Sequence, residues 1–230
     1  MMRAILPDSV MVVEGPTRLA DARLLPQEAA ALGRVSATRL AEFTASRTYA
    51  RQALAGMGLP LMPILSGPQR QPLWPSGIVG SITHCADYCA VAVARETAFC
   101  AIGIDAEPDE PLPNEVLKYV ALGPERDFVS DPRHAAVHWD RLLFSAKESI
   151  FKAWFQATGQ WLDFMHACVT IDCASRQFHA RIYPTASITR NDLKSELTGR
   201  YMIGDGRMLT ALVIEKAAPR LMLGDQANLK

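Results

Sequence analysis

The sequence predicts an α+β chain in two halves, each laid out as a long helix followed by strands. Two observations predict it. A helical pattern from Pro26 to Met57 precedes the alternating stretches Tyr88–Ala94 and Ala98–Ile104, and a second helix, Leu142–Ala157, precedes several strand-like runs. Between the halves lies Pro108 to Pro113, rich in proline and acid, which reads as a linker. The division is therefore 1–108 and 109–230, with no internal sequence repeat between the two. A chain of 230 residues can bury a core without covalent staples and holds one large domain or two small ones.

In order, residues 1 to 25 read as an irregular lead-in with a β segment at Val10–Val13. The first helix is expected to break near Gly33–Val35, with Leu40, Phe43, Ala50 and Leu54 as its apolar stripe. Gly56, Gly58 and Pro60 stop it, and a proline-rich loop follows through Pro75. Tyr88–Ala94 and Ala98–Ile104 read as a hairpin turning at Arg95–Thr97. The second half opens with a helix at Glu115–Val120 and a polar loop to Pro132. Leu142–Ala157 is ended by Gly159, and its nearly continuous apolar residues imply burial. Strands follow at Ala167–Asp172, Gln177–Tyr183 and Arg200–Ile203, the last paired with Met208–Glu215 through a Gly204-Asp205-Gly206 turn. The tail after Pro219 is expected to be disordered.

Composition narrows the function classes. Apolar residues make up 49% and charged residues 21%, ordinary for a globular protein. The 24 basic residues equal the 24 acidic ones, which argues against a general nucleic-acid binder. Five cysteines, an odd number without a regular framework or a secretory leader, point to reduced thiols and a cytoplasmic location. No apolar run reaches membrane-spanning length.

Two motifs carry the chemistry. In GIDAE, Asp105 and Glu107 are two apart at the end of an apolar run, so on a strand both side chains leave one face. Carboxylate oxygens suit Mg²⁺, which takes one or two of them and leaves other positions to water and phosphates. In FSAKESIFK, Glu148 and Lys152 are four apart and share a helix face, with Lys147 beside them. Alone, an acid-x-acid pair is usually a solvated turn, and a Glu–Lys pair is a weak surface ion pair. A charged group in a buried helix is more informative, because buried carboxylates need partners or a metal.

A third motif, GSITH (Gly80–His84), lies about twenty residues before GIDAE. In this order the three resemble the signature of the 4′-phosphopantetheinyl transferases, in the long, monomeric, actinobacterial type that serves siderophore, polyketide and peptide synthesis. ARQALAGMG, QPLWP, HWDRLLFSAKE and LTALVI extend the resemblance over most of the chain from Arg39 onward. It implies a pseudo-twofold pair of similar α+β subdomains with the active site in the cleft between them. It also implies a reaction: the phosphopantetheine arm of coenzyme A moves to a serine of an apo acyl or peptidyl carrier protein or a polyketide-synthase carrier domain, releasing 3′,5′-ADP. Asp105, Glu107 and Glu148, with the main-chain oxygen of Ala106, would then hold Mg²⁺. Glu148 would be the general base, directly or through a water, and Lys152 would stabilise pyrophosphate charge, with Lys147 as a second cation. His84, Arg39 and Arg47, with Thr83 beside the histidine, would bind the 3′-phosphate, Arg51 being a weaker candidate. Family members commonly carry lysines in the loop occupied here by Ser66–Arg70, whose single cation is Arg70. The carrier would lie near Val116–Val120 and Trp161–Phe164, with Trp161 and Phe164 themselves expected in the core. A metal-dependent phosphohydrolase or nuclease is the alternative.

Overall fold

Helix and strand positions follow the apolar periodicity closely. The computed structural model describes residues 1–183 and 195–216, so the tail after Pro219 lies outside it. The lead-in contributes β1, Met11–Gly15. The break in the first helical stretch falls where expected: α1 spans Pro26–Leu32 and ends at Gly33, whose positive φ of 67° suits glycine. Ser36 then caps α2, Ala37–Gly56, by accepting from the Arg39 amide. Phe43, Ala50 and Leu54 are buried, but Leu40, in the first turn, is half exposed.

β2 (Ile78–Cys85), β3 (Tyr88–Arg95) and β1 form an antiparallel sheet in the order β1-β3-β2. β3 is apolar on both faces: Tyr88, Ala90, Ala92 and Ala94 join one core cluster, and Cys89, Val91 and Val93 join another beneath α2. β4 (Phe99–Pro108) belongs to a second antiparallel sheet, β4-β8-β7-β6-β5, with β5 Ala167–Asp172, β6 Gln177–Ile182, β7 Glu196–Gly204 and β8 Arg207–Glu215. The turn joining β7 to β8 puts Asp205 and Gly206 at positive φ, as a tight hairpin requires. α5, Trp139–Thr158, packs on this sheet and ends at Gly159 in the left-handed region. Each half thus lays one 20-residue helix on an antiparallel sheet, and the sheets meet through Ala90, Ala92 and Ala94 against Ile102, Ile104 and Leu209.

Three sequence expectations change. β3 and β4 are not a hairpin, because β3 already has β1 and β2 on its two edges; its hairpin partner is β2, a segment to which the sequence reading assigns no element. β4 pairs instead with β8, so a cut at residue 108 divides the second sheet. In the supposed polar loop, Gly123–Val129 forms α4 after α3, Asn114–Val120.

Candidate active site

Gly103 lets α5 sit directly on β4. A Cβ at this position would lie 1.8 Å from the Ser149 carbonyl oxygen, so only glycine allows the approach. Along the contact, α5 presents Arg141, Ser145, Glu148, Lys152 and Gln156 at spacings of four, three, four and four. One helix face therefore meets the acids of β4.

Asp105 is buried and held from several sides. Its Oδ1 accepts from Lys152 Nζ at 2.7 Å and lies 3.3 Å from Thr83 Oγ1, while its Oδ2 accepts from Ser145 Oγ at 2.8 Å. Lys152 also donates to the Ile104 carbonyl. Glu107 leaves the same face of β4 and accepts from Arg141 Nη1 at 2.8 Å; Arg141 further grips the carbonyls of Glu110 and Pro111. Glu148 is half buried and has no hydrogen-bond or ion-pair partner among the described residues. Burial raises the Glu148 carboxyl above its ordinary value, Lys152 opposing and Asp105 adding to the shift. Burial likewise raises Glu107, with Asp105 adding and Arg141 opposing. These carboxylates feel one another, although among the described residues no three His, Cys, Asp or Glu side chains form a ready-made metal cage.

β2 closes the edge of β4 with side chains. Ser81 Oγ accepts from the Ile104 amide at 3.1 Å and Thr83 Oγ1 from the Ala106 amide at 3.0 Å. A residue's carbonyl leaves a strand on the side of its amide, so the Ala106 oxygen faces this edge too. Gln156 bridges the same seam, accepting from Ile102 N and donating to Gly80 O. Thr83 is thus a support for β4 and Asp105, with its hydroxyl already engaged.

A cleft of about 1210 Å³ runs from this seam along α2 and the proline-rich loop. Arg39, Arg47, Arg70, His84 and Lys152 line it, against one acid among the described residues, Glu96. Arg39 Nη1 lies 3.1 Å from His84 Nε2. A guanidinium only donates, so Nε2 accepts and the imidazole proton sits on Nδ1, 3.8 Å from Glu42. Burial lowers the His84 pKa, Glu42 opposing and Arg39 and Lys152 reinforcing. Arg47 is nearly enclosed: it donates to Ile64 O at 2.7 Å and Ser66 Oγ at 2.8 Å, its guanidinium lies 3.9 Å from the Phe43 ring centre, and burial lowers its pKa to about 10. Arg70 lies exposed on the rim.

Two predicted cations are elsewhere. Lys147 points away from the acids and is buried, donating to Val120 O at 2.6 Å, Glu125 Oε2 at 2.7 Å and Phe164 O at 2.9 Å. It falls outside the 141–145–148–152 face, which is why adjacency to Glu148 misled. Arg51 is paired with buried Glu28, which also accepts from Ile64 N. Trp161, expected in the core, is 62% exposed beside Phe151, whereas Phe164 is half buried against Phe144. Sequence reasoning missed Arg141, Ser145, Gln156 and Ser81. The spacing of polar residues through an apolar helix could have found the first three.

Comparison with known proteins identifies the relatives of this chain. The 4′-phosphopantetheinyl transferase N-terminal domain matches residues 27–94, and the 4′-phosphopantetheinyl transferase superfamily matches residues 101–203. The break between the two falls between β3 and β4. The chain is 42% identical to 4′-phosphopantetheinyl transferase Svp of Streptomyces mobaraensis, over 95% of this chain and 90% of that one. It is 43% identical to 4′-phosphopantetheinyl transferase PptT of Mycobacterium tuberculosis, over 83% and 86% respectively. Enterobactin synthase component D of Salmonella typhimurium is 36% identical over 50% of this chain and 48% of its own length.

Proposed function

This chain belongs to the 4′-phosphopantetheinyl transferase superfamily, and from that premise we propose that it moves the phosphopantetheine arm of coenzyme A to a serine of an apo carrier protein, releasing 3′,5′-ADP. The observation that carries the substrate assignment is the cation-lined cleft of about 1210 Å³ whose lining includes Lys152, the partner of Asp105. It exceeds the usual range for small-ligand sites and suits a long anionic ligand with phosphates at two points. His84, Arg39 and Arg70 would meet the 3′-phosphate and nucleotide, with Arg47 shaping the wall through Ile64, Ser66 and Phe43. Lys152 would meet the pyrophosphate. Lys147 and Thr83 would act only through the fold.

The donor set fits Mg²⁺. Asp105, Glu107, Glu148 and the Ala106 carbonyl are hard oxygen ligands, and Mg²⁺ normally completes its shell with water and substrate phosphates rather than an all-protein cage. Burial is the main cause of the raised Glu107 and Glu148 carboxyls, and the neighbouring Asp105 adds to both, as expected of acids gathered at one site. When bound, the ion would neutralise charge developing on the pyrophosphate. Glu148, whose carboxylate has no hydrogen-bond or ion-pair partner among the described residues, would accept the serine proton, directly or through a water. The catalytic set is then Glu148, Lys152, Asp105 and Glu107, gathered from one chain, which supports action as a monomer.

The carrier would approach across the second half, near exposed Tyr119, Val116 and Trp161, and an acyl, peptidyl or polyketide-synthase carrier is the expected class. No helix among the described residues is long and apolar enough to cross a membrane. Family membership sets the hydrolase alternative aside. Calorimetric binding of coenzyme A and of 3′-dephospho-coenzyme A tests the cleft. Tighter binding of the former is expected, and equal affinities would remove the 3′-phosphate assignment.

A further inference from the structure

We infer that Thr210 and Ser145 are positioning residues, a pair of hydroxyls that fixes the carboxylate plane of Asp105 for the cation. The inference rests on the reading of Asp105 as a metal ligand. Thr210 lies on β8 directly across the ladder from Asp105. Both hydroxyl residues are fully buried, where α5 crosses the sheet. Ser145 Oγ stands 2.8 Å from Asp105 Oδ2 and 2.9 Å from Thr210 Oγ1, and Thr210 Oγ1 is also 2.9 Å from the Ser145 carbonyl oxygen.

The proton inventory gives this chain a direction. Ionised Asp105 only accepts, so the single Ser145 proton goes to Oδ2. Ser145 Oγ then takes its own hydrogen bond from Thr210, whose proton is shared between that oxygen and the Ser145 carbonyl. Thr210 therefore orients the Ser145 hydroxyl, and Ser145 orients the carboxylate. With Lys152 on Oδ1, rotation about the carboxyl axis is blocked from both ends. A carboxylate so fixed holds its remaining lone pairs in one orientation and loses no torsional freedom when an ion binds. Chains of this kind are energetically coupled, so removing the outer hydroxyl weakens the inner bond.

Thr210→Val is close in shape and removes only the hydroxyl, Thr210→Ser keeps it, and Ser145→Ala cuts the chain at its inner link. For each purified protein, calorimetry would give the Mg²⁺ concentration for half-maximal enhancement of coenzyme A binding, and the coenzyme A affinity in EDTA. The inference expects Thr210→Val and Ser145→Ala to need about tenfold more Mg²⁺, the scale of one hydrogen bond to a charged group. Thr210→Ser should stay near wild type, and affinity in EDTA should not change. A Thr210→Val protein with wild-type Mg²⁺ dependence would overturn it. So would equal weakening with and without Mg²⁺, which indicates a packing role only. Wild-type protein whose coenzyme A binding ignores Mg²⁺ would overturn the underlying metal reading, and this inference with it.

Discussion

Lys147→Met should destabilise the protein while leaving coenzyme A recognition intact. Methionine keeps the apolar stem but removes an ammonium that donates to Val120 O, Glu125 and Phe164 O, tying α5 to α3, α4 and the turn before β5. Breaking a buried ion pair by removing one partner costs about 3–5 kcal/mol. Glu125 keeps two backbone donors, Leu122 N and Val169 N, each at 2.6 Å, so the lower end applies. For a chain of this size, about 3 kcal/mol corresponds to a fall in Tm of roughly 6–12 °C. Thermal melting followed by circular dichroism, beside steady-state kinetics well below the transition, separates the two roles. The KM for coenzyme A should stay within about twofold of wild type, since no uniform binding contact is lost. A variant that melts normally but needs about tenfold more coenzyme A would refute the reasoning and return Lys147 to the phosphates.

Glu148→Gln should lower kcat by about 10²–10⁴ as the proton acceptor is lost. The same change should raise Tm by a few degrees at neutral pH. Burial holds the folded carboxyl above its ordinary 4.5, so ionised Glu148 costs stability above the folded value, and that cost disappears as pH falls to 4.5 and below. Melting curves across pH should therefore converge with wild type in acid; a constant offset would contradict the assignment. Arg39→Ala should raise the KM for coenzyme A about tenfold or more with little effect on 3′-dephospho-coenzyme A. Arg47→Ala should weaken both and lower Tm, because Arg47 holds Ile64 and Ser66; kinetics with the two substrates distinguish them. Gly103→Ala should destabilise by about 1–3 kcal/mol or more, since the new Cβ meets backbone that cannot rotate away, and chemical denaturation would measure it.

Much of the site was legible because it depends on short-range spacing. The two-residue period put Asp105 and Glu107 on one strand face, and the four-residue period put Glu148 and Lys152 on one helix face. Gly33 and Gly159 marked real helix ends, because positive φ is a local demand. What escaped depends on partners distant in sequence. β4 looked like the return arm of a hairpin, but both edges of β3 were taken, and strand pairing is decided by such competition. β2 sat behind a proline-rich run and carries glycine, serine and threonine; its hydroxyls serve the seam with β4, so it lacks the apolar look of β3. Lys147 illustrates the same limit within a helix. Its neighbour in sequence is Glu148, but its neighbour in space is Glu125.

Intact-mass measurement of purified apo acyl and peptidyl carrier proteins, incubated with this protein, coenzyme A and Mg²⁺ beside an EDTA control, tests the central claim most directly. The account predicts a gain of one phosphopantetheine group on at least one carrier, abolished by EDTA and by Ser→Ala at the carrier's acceptor. Unmodified carriers, despite folded protein that binds coenzyme A, would contradict the transfer reaction assigned to this cleft.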